Sequence, residues 1–161
     1  MTDFHVTFVC LGNICRSPMA EAVMSKRVTD LGWSAVRVDS AGTGDWHLGE
    51  DADKRARAVL AERGYPLSHT ARQIDPSWFA DRDLVVALDQ DNLADLRRLA
   101  PDKDSRSRIV LLREFDPDAG ELDVPDPYYG DSKGFHHVLD IIESACDGLL
   151  DHLRQHLRVA T

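Results

Sequence analysis

The sequence predicts one α/β domain, with a four-stranded parallel sheet flanked by helices on both faces. Four short runs rich in β-branched and aliphatic residues have the length of strands, at 4–9, 35–39, 84–88 and 109–112. Longer segments with helical periodicity alternate with them, as is typical of parallel sheets with crossover helices. Because the 161 residues show no repeat, low-complexity tract or linker, we expect a single domain over 1–161.

The first strand, FHVTFV, leads directly into a helical pattern. Ser17 is predicted to cap that helix, with Pro18 in its first position and Gly32 at its end. The third strand, LVVAL, is continuously apolar, which indicates a central strand buried on both faces. Further helices are predicted over 51–63, 91–100 and 134–157.

Polar elements follow the predicted strands at their carboxyl ends, where parallel sheets bind ligands. Cys10, Ser40 and Asp89 each come directly after a strand, and a long loop over 113–133 follows the fourth. That loop is too long for a simple connection, which favours a functional role. We therefore expect a site at this edge of the sheet.

Composition excludes several classes of function. The formal net charge is −9, with 28 acidic against 19 basic residues, which argues against nucleic-acid or anionic-membrane partners. Three cysteines do not form a secreted disulfide framework, and no apolar run approaches the ~20 residues of a membrane span. We expect a cytoplasmic protein without a signal peptide, and secretion by a route that needs no signal remains open.

The segment CLGNICR, over 10–16, has the features of a phosphate-binding loop between a strand and a helix. Backbone N–H groups of such a loop can turn inward, and the helix N-terminus adds further donors and a positive dipole end. Gly12 and Asn13 suit an unusual backbone conformation. Arg16 offers a planar fork that can hold two phosphate oxygens.

Cys10 is a candidate nucleophile in this loop. Helix N-terminal N–H groups and a nearby arginine favour the thiolate form, which could attack a bound phosphorus and form a cysteinyl-phosphate. A buried cysteine at a strand end is the alternative interpretation, but the full string VCLGNICRSPMAE favours the functional one. Cys15 either packs at the loop base or forms a reversible disulfide with Cys10, and Cys146 is predicted in the core.

Five segments, in order along the chain, resemble one family: VCLGNICRSPMAE at 9–21, DSAGTGDW at 39–46, HTARQ at 69–73, ALDQDNL at 87–93 and DPYYG at 126–130. The chain resembles the low-molecular-weight protein tyrosine phosphatases along its whole length, and most closely the actinobacterial members. The resemblance implies a metal-independent hydrolase of phosphotyrosine, with no cofactor. It implies Cys10 as nucleophile, Arg16 as phosphate clamp and Asp126 as general acid and base.

The resemblance also implies a hydrogen-bond network that shapes the loop, made by Asn13, Ser17, Ser40 and His69. Asp89 is predicted to position Arg16 or nearby backbone. Substrate-binding residues are expected in the loop and in aromatic walls: Leu11, Gly12, Asn13, Ile14, Cys15, Ser17, Trp46, Tyr128 and Tyr129.

Asp126 has a chemical rationale of its own. The departing tyrosyl oxygen needs a proton, which a carboxyl group on a loop can deliver before it activates water for the second step. Pro125 and Pro127 stiffen the backbone on either side. Other acids of the loop, such as Asp123, fit a solvated position equally well, so the choice of Asp126 depends on the DPYYG segment and its resemblance.

We expect a monomeric phosphatase that binds phosphotyrosine proteins or peptides, phosphate and vanadate-like anions. Three alternative functions are less well supported by the sequence. A thiol-dependent arsenate reductase needs resolving cysteines downstream of the loop, and 84–91 contains none. A phosphoarginine phosphatase would carry threonine in place of Ile14 and lack the paired tyrosines. A phosphotyrosine-binding module without activity would lack the nucleophile or the acid, and both are present.

Overall fold

The computed structural model describes residues 3–160 as alternating strands and helices. In chain order the elements are β1 (Phe4–Cys10), α1 (Arg16–Asp30), β2 (Val36–Gly42), α2 (Lys54–Glu62), β3 (Leu84–Ala87), α3 (Gln90–Leu99), α4 (Lys103–Ser107), β4 (Ile109–Leu111) and α5 (Ser132–Ala160). Single 3-10 turns cover Pro76–Ala80 and Leu112–Phe115. Within the described part of the chain, no helix is long and apolar enough to cross a membrane.

The four strands form one parallel sheet in the order β2-β1-β3-β4. This confirms the predicted fold class. Because β1 lies in the middle, its carboxyl end and that of β3 open on the same edge of the sheet, which brings Cys10 and Asp89 to one place.

The second strand is longer than predicted. It continues to Gly42, where Gly42 pairs with Cys10 and Ser40 with Phe8. The sequence predicted Ser40 just beyond the end of this strand, but the residue lies inside it. Pairing with β1 extends the strand through small and polar residues, which the apolar pattern could not indicate.

The predicted cap of α1 is wrong. The helix begins at Arg16 after Cys15, and no side chain caps it. Ser17 lies in the first turn, where its hydroxyl faces Cys10. The N–H groups of the first turn thus remain without a side-chain acceptor, as an anion-binding helix N-terminus requires.

The helices also differ in part from the sequence prediction. Helix α2 begins at Lys54, after Asp53 accepts a hydrogen bond from the Arg55 N–H as its N-cap. Helix α4 and both 3-10 turns were not predicted, because elements of one turn carry too little periodicity to recognise.

Helices cover both faces of the sheet. The larger core lies between the sheet and α1, α2 and α5, and the smaller one lies beneath α3 and the Pro76–Ala80 turn. Fully buried side chains of the larger core include Phe8, Met24, Leu139, Ile142 and Leu149. Cys146 is buried here too, as the sequence predicted.

Leu149→Ala should test the contribution of α5 to this core. Leu149 has no exposed surface, so its truncation leaves a cavity and we expect the free energy of unfolding to fall by about 2–5 kcal/mol. Leu122→Ala is the control, because Leu122 is 42% exposed on the surface. Urea denaturation measures both changes, and an equal loss in the two variants would contradict the packing described here.

Candidate active site

The loop between β1 and α1 follows an unusual backbone course at Asn13, whose φ is 57°. Asn tolerates this left-handed region better than most residues. At Gly12 the absence of a side chain lets the His47 ring approach the loop closely, since a Cβ there would lie 3.0 Å from that ring. Gly42 of β2 is also required, because a Cβ would lie 2.7 Å from the Leu11 carbonyl oxygen.

The Asn13 side chain connects the loop to the elements around it. Its Nδ2 donates to Ser17 Oγ at 2.8 Å and to Ser40 Oγ at 3.0 Å. Its Oδ1 accepts from the Arg72 backbone N–H at 3.0 Å. Its backbone carbonyl lies 2.6 Å from His69 Nε2. The four residues of the expected network therefore lie together beneath the loop, and Arg72 is an addition.

Glu21 extends this network and was missed from the sequence. Ser40 Oγ donates to Glu21 Oε1 at 2.7 Å. Burial raises the pKa of Glu21, while the hydrogen bond from Ser40 and the charge of His69 act in the opposite direction. Its position three residues after Pro18 and three before Met24, both buried, was the available signal, since an acid on a buried helix face needs a partner.

Cys10 lies at the base of a pocket and is only 3% exposed. Its Sγ is 2.9 Å from Ser17 Oγ. Cys15 lines the same pocket, and burial together with the Asp53 carboxylate raises the pKa of its thiol, which keeps it neutral. Both thiols are free.

Arg16 is almost completely buried beside Cys10. Its Nη1 donates to Asp89 Oδ2 at 2.6 Å and to the Val124 carbonyl at 3.0 Å. Burial alone would lower the pKa of Arg16, but the neighbouring Cys10 and then Asp89 raise it. The other oxygen of Asp89 accepts from the Asn92 N–H at 2.7 Å and caps α3, which fixes the carboxylate that holds Arg16.

Asp126 and Asp123 occupy different environments. The Oδ2 of Asp126 lies 3.7 Å from Arg16 Nη2, and its Oδ1 accepts from the Tyr128 N–H at 3.1 Å. Its carboxylate faces the pocket and is 42% exposed. Asp123 instead accepts from the Gln90 N–H at 2.9 Å. Asp126 is therefore placed to exchange a proton at the pocket, whereas Asp123 holds the start of a helix.

The pocket has a volume of about 440 Å³. Its lining comprises Cys10, Leu11, Gly12, Ile14, Cys15, Arg16, Trp46, His47, Asp126, Tyr128 and Tyr129. Trp46 and Tyr129 are 68% and 93% exposed, so they form a rim and not core packing. Asn13 and Ser17, expected to bind substrate, lie beneath the loop and are fully buried. His47 was not expected in the lining.

No group of three or more His, Cys, Asp or Glu side chains suited to a metal ion occurs among the residues that the structure describes. The arrangement at the pocket combines a thiol, a buried guanidinium, helix N–H groups and a carboxylate. Such a set can hold an oxyanion, attack it and transfer a proton.

The fold and the site define an α/β protein with a cysteine in a phosphate-binding loop. The family model described as low molecular weight phosphotyrosine protein phosphatase matches residues 5–159, and the chain belongs to this family.

Individual relatives agree. A low molecular weight protein-tyrosine-phosphatase of Streptomyces coelicolor is 56% identical over 155 residues, which cover 94% of each chain, and this confirms the actinobacterial resemblance. A protein tyrosine phosphatase structure from Entamoeba histolytica has a TM-score of 0.92 at 41% identity and covers 96% of this chain and 99% of its own. A Drosophila arginine phosphatase has a TM-score of 0.87 at 32% identity, covering 92% and 96%.

Asn13→Ala and Asn13→Gly should separate the two functions of this residue. Both variants lose the side-chain bonds, so we expect weaker vanadate inhibition in both. Only alanine adds strain at φ 57°, and we expect its free energy of unfolding to be lower than that of the glycine variant by about 1 kcal/mol. Denaturant melts and inhibition constants provide the readouts. Unchanged vanadate inhibition in the glycine variant would show that the network does not shape the loop.

Proposed function

We propose that this protein hydrolyses phosphotyrosine through a cysteinyl-phosphate intermediate, without a metal or other cofactor. The observation that carries the proposal is the convergence of Cys10, Arg16 and Asp126 on one pocket. Family membership supports the same reaction. The individual roles of these residues follow from their chemistry and placement.

In the first step, the phosphate dianion binds to the N–H groups of the loop and to Arg16. The Cys10 thiolate attacks phosphorus on the side opposite the phenolic oxygen, so that the S–P bond forms as the P–O bond breaks. Asp126, in its protonated form, donates its proton to the departing oxygen. Loop N–H groups and the guanidinium stabilise the charge on the equatorial oxygens.

In the second step, the Asp126 carboxylate takes a proton from water, which attacks phosphorus and releases Cys10. Ser17 Oγ, 2.9 Å from Sγ, can donate a hydrogen bond to the sulfur as negative charge returns to it. Inorganic phosphate then leaves. The network behind the loop supports both steps because it fixes the position of Ser17.

Pocket shape favours a phosphorylated aromatic side chain. Cys10 lies at the base, and Trp46, Tyr128 and Tyr129 stand at the entrance. A flat phenyl ring can pack between such walls while its phosphate reaches the loop. A shorter phosphoserine would lack these contacts and place its phosphate farther from the sulfur.

The alternative chemistries have less support. A similar fold occurs in the Drosophila arginine phosphatase, so the fold alone does not select the substrate. Ile14 in the lining and the two tyrosines at the entrance favour an aromatic ester over a phosphoguanidinium. For an arsenate reductase, a relay of thiols is needed, but Cys146 is fully buried in the core. Cys15 is the second thiol at the pocket, and a disulfide between Cys10 and Cys15 stays a prediction.

We also infer the setting in which the enzyme works. Its substrates are phosphotyrosine proteins or peptides, and phosphate and vanadate-like anions occupy the same loop. We propose that the enzyme acts as a monomer. Three free thiols fit a reducing cytoplasm. The net charge of −9 supports the absence of nucleic-acid and membrane partners.

Cys10→Ser should abolish turnover and preserve anion binding. The hydroxyl is a far weaker nucleophile than a thiolate, while the donors that hold phosphate remain. An assay panel of phosphotyrosine, phosphoserine, phosphoarginine and arsenate, with chelator present, measures activity, and calorimetry measures phosphate binding. We expect the unmodified protein to act mainly on phosphotyrosine. Near-normal activity of Cys10→Ser would contradict the mechanism, and a preference for phosphoarginine would contradict the substrate.

Asp126→Asn should slow release of the tyrosyl group. The amide keeps the shape but supplies no acid, so we expect kcat/KM for phosphotyrosine to fall about a hundredfold or more. Asp123→Asn is the matched control, because an amide oxygen can still accept from the Gln90 N–H. Steady-state kinetics compare the two. A comparable loss in both variants would remove Asp126 from the role of acid.

A further inference from the structure

Arg55, in the first turn of α2, connects this helix to the segment that carries Asp126. Its Nη1 donates to the Gly130 carbonyl at 2.8 Å and its Nη2 donates to the Tyr128 carbonyl at 2.9 Å. The guanidinium also lies over the Phe135 ring, 4.6 Å from its centroid. One side chain thus holds two carbonyls of the DPYYG segment in a single planar fork.

Asp53 orients this fork. Its carboxylate accepts from Arg55 Nε at 3.1 Å and from Nη2 at 3.0 Å, a bidentate ion pair. Burial alone would raise the pKa of Asp53, but the hydrogen bonds from Arg55 outweigh it and lower the pKa. The backbone N–H of Asp53 donates to the Ile14 carbonyl at 2.7 Å, so the pair is attached to the phosphate loop itself.

The same segment sets the position of Asp126. Its Oδ1 accepts from the N–H of Tyr128, and the carbonyl of Tyr128 is the one that Arg55 holds. The other contact of the carboxylate is the more distant Arg16, at 3.7 Å. Because the carboxylate is 42% exposed, packing does little to hold it. Its placement at the pocket that Cys10 also lines therefore depends on the backbone of Tyr128.

We propose that Arg55 is a positioning residue for proton transfer, which fastens the Asp126 segment to the phosphate loop through Asp53. This inference rests on the proposed function and deepens it. Arg55 touches no reacting atom and does not line the pocket. Loss of Arg55 should therefore slow only those reactions in which the leaving group needs a proton from Asp126. Displacement of a reacting group by even 1 Å can slow a reaction by up to about a hundredfold.

The leaving group makes this selectivity measurable. The phenol of tyrosine has an ordinary pKa of about 10, so its phenolate leaves poorly without a proton, whereas an electron-poor phenolate leaves readily. For Arg55→Met, we expect kcat/KM to fall about tenfold with phosphotyrosine and by less than about threefold with an electron-poor aryl phosphate. Vanadate inhibition, which needs no proton, should stay close to that of the unmodified protein.

Two further variants separate positioning from folding. Asp53→Asn keeps a good N-cap for α2, so the helix should remain folded. Because the variant weakens the ion pair with Arg55, kcat/KM should again fall more with phosphotyrosine than with the electron-poor aryl phosphate. Arg55→Lys keeps the charge but lacks the fork, and it should recover only part of the loss. Arg57→Met is the matched control: it lies on the same helix, donates to the Ala52 carbonyl, and does not touch the 126–130 segment.

A double variant with Asp126→Asn completes the test. If Arg55 acts through Asp126, adding Arg55→Met to Asp126→Asn should cost phosphotyrosine turnover little more. Additive losses, or equal losses with both aryl phosphates, would overturn the inference. If the unmodified protein fails to hydrolyse phosphotyrosine at all, the proposed function fails instead, so the two failures are distinct.

Discussion

The amide of Asn13 ties the phosphate loop to the elements that surround it. The residue adopts a φ of 57°, and its side chain bonds to the first turn of α1, to β2 and to the backbone at Arg72. The contacts with Ser17 and Ser40 are buried and the contact with Arg72 is partly buried, so the loss of a partner would cost free energy. The first turn of α1, the end of β1 and the position of Cys10 all depend on this side chain.

The buried guanidinium of Arg16 lines the pocket of a protein whose formal net charge is −9. Arg16 is 3% exposed, and an isolated buried guanidinium would be very costly. Asp89 and the Val124 carbonyl satisfy one side of its fork. Asp89 in turn is held as the N-cap of α3. The opposite side can therefore face a phosphate without rearrangement, which is the preorganisation that electrostatic catalysis requires.

The segment that carries Asp126 is held by a different set of contacts from the phosphate loop. Asp126 lies on a mostly exposed segment after Val124, whereas most of the phosphate loop is buried at the edge of the sheet. The ion pair of Asp53 and Arg55 connects the two parts, with one hydrogen bond to the loop and two to the segment. A rigid anion site and a more exposed acid thus share one anchor at the start of α2.

Much of the site could be predicted because its information is local. The string from Cys10 to Ser17 contains the thiol, the arginine and the residues that tolerate the turn, all within a single strand–loop–helix unit. Ser17 was nevertheless misassigned as a helix cap, since a serine before a helical pattern usually caps it. Its hydroxyl faces the sulfur because the helix begins two residues earlier, at Arg16, and no local propensity indicates that shift.

Glu21, Arg72 and Arg55 were missed for a different reason. Each acts on a partner far away in the chain, as when Arg55 reaches Gly130 or Arg72 reaches Asn13. A single sequence reports periodicity and short motifs, but it does not report which distant carbonyl a guanidinium will meet. His47 belongs with them, because its ring enters the pocket only through the close approach of Gly12.

The sequence by itself determined the parallel sheet, the phosphate-binding loop and the identities of the thiol and the guanidinium, whereas the choice of Asp126 as the candidate acid came from the resemblance. Alternating apolar periodicities and a contiguous motif were sufficient, because both reflect interactions between near neighbours in the chain. Only the tertiary structure decided which loop acid faces the pocket and which hydrogen bonds shape the loop. It also decided how the Asp126 segment is attached to the phosphate loop. Those choices depend on contacts between residues far apart in the chain, which form when the helices pack on the sheet.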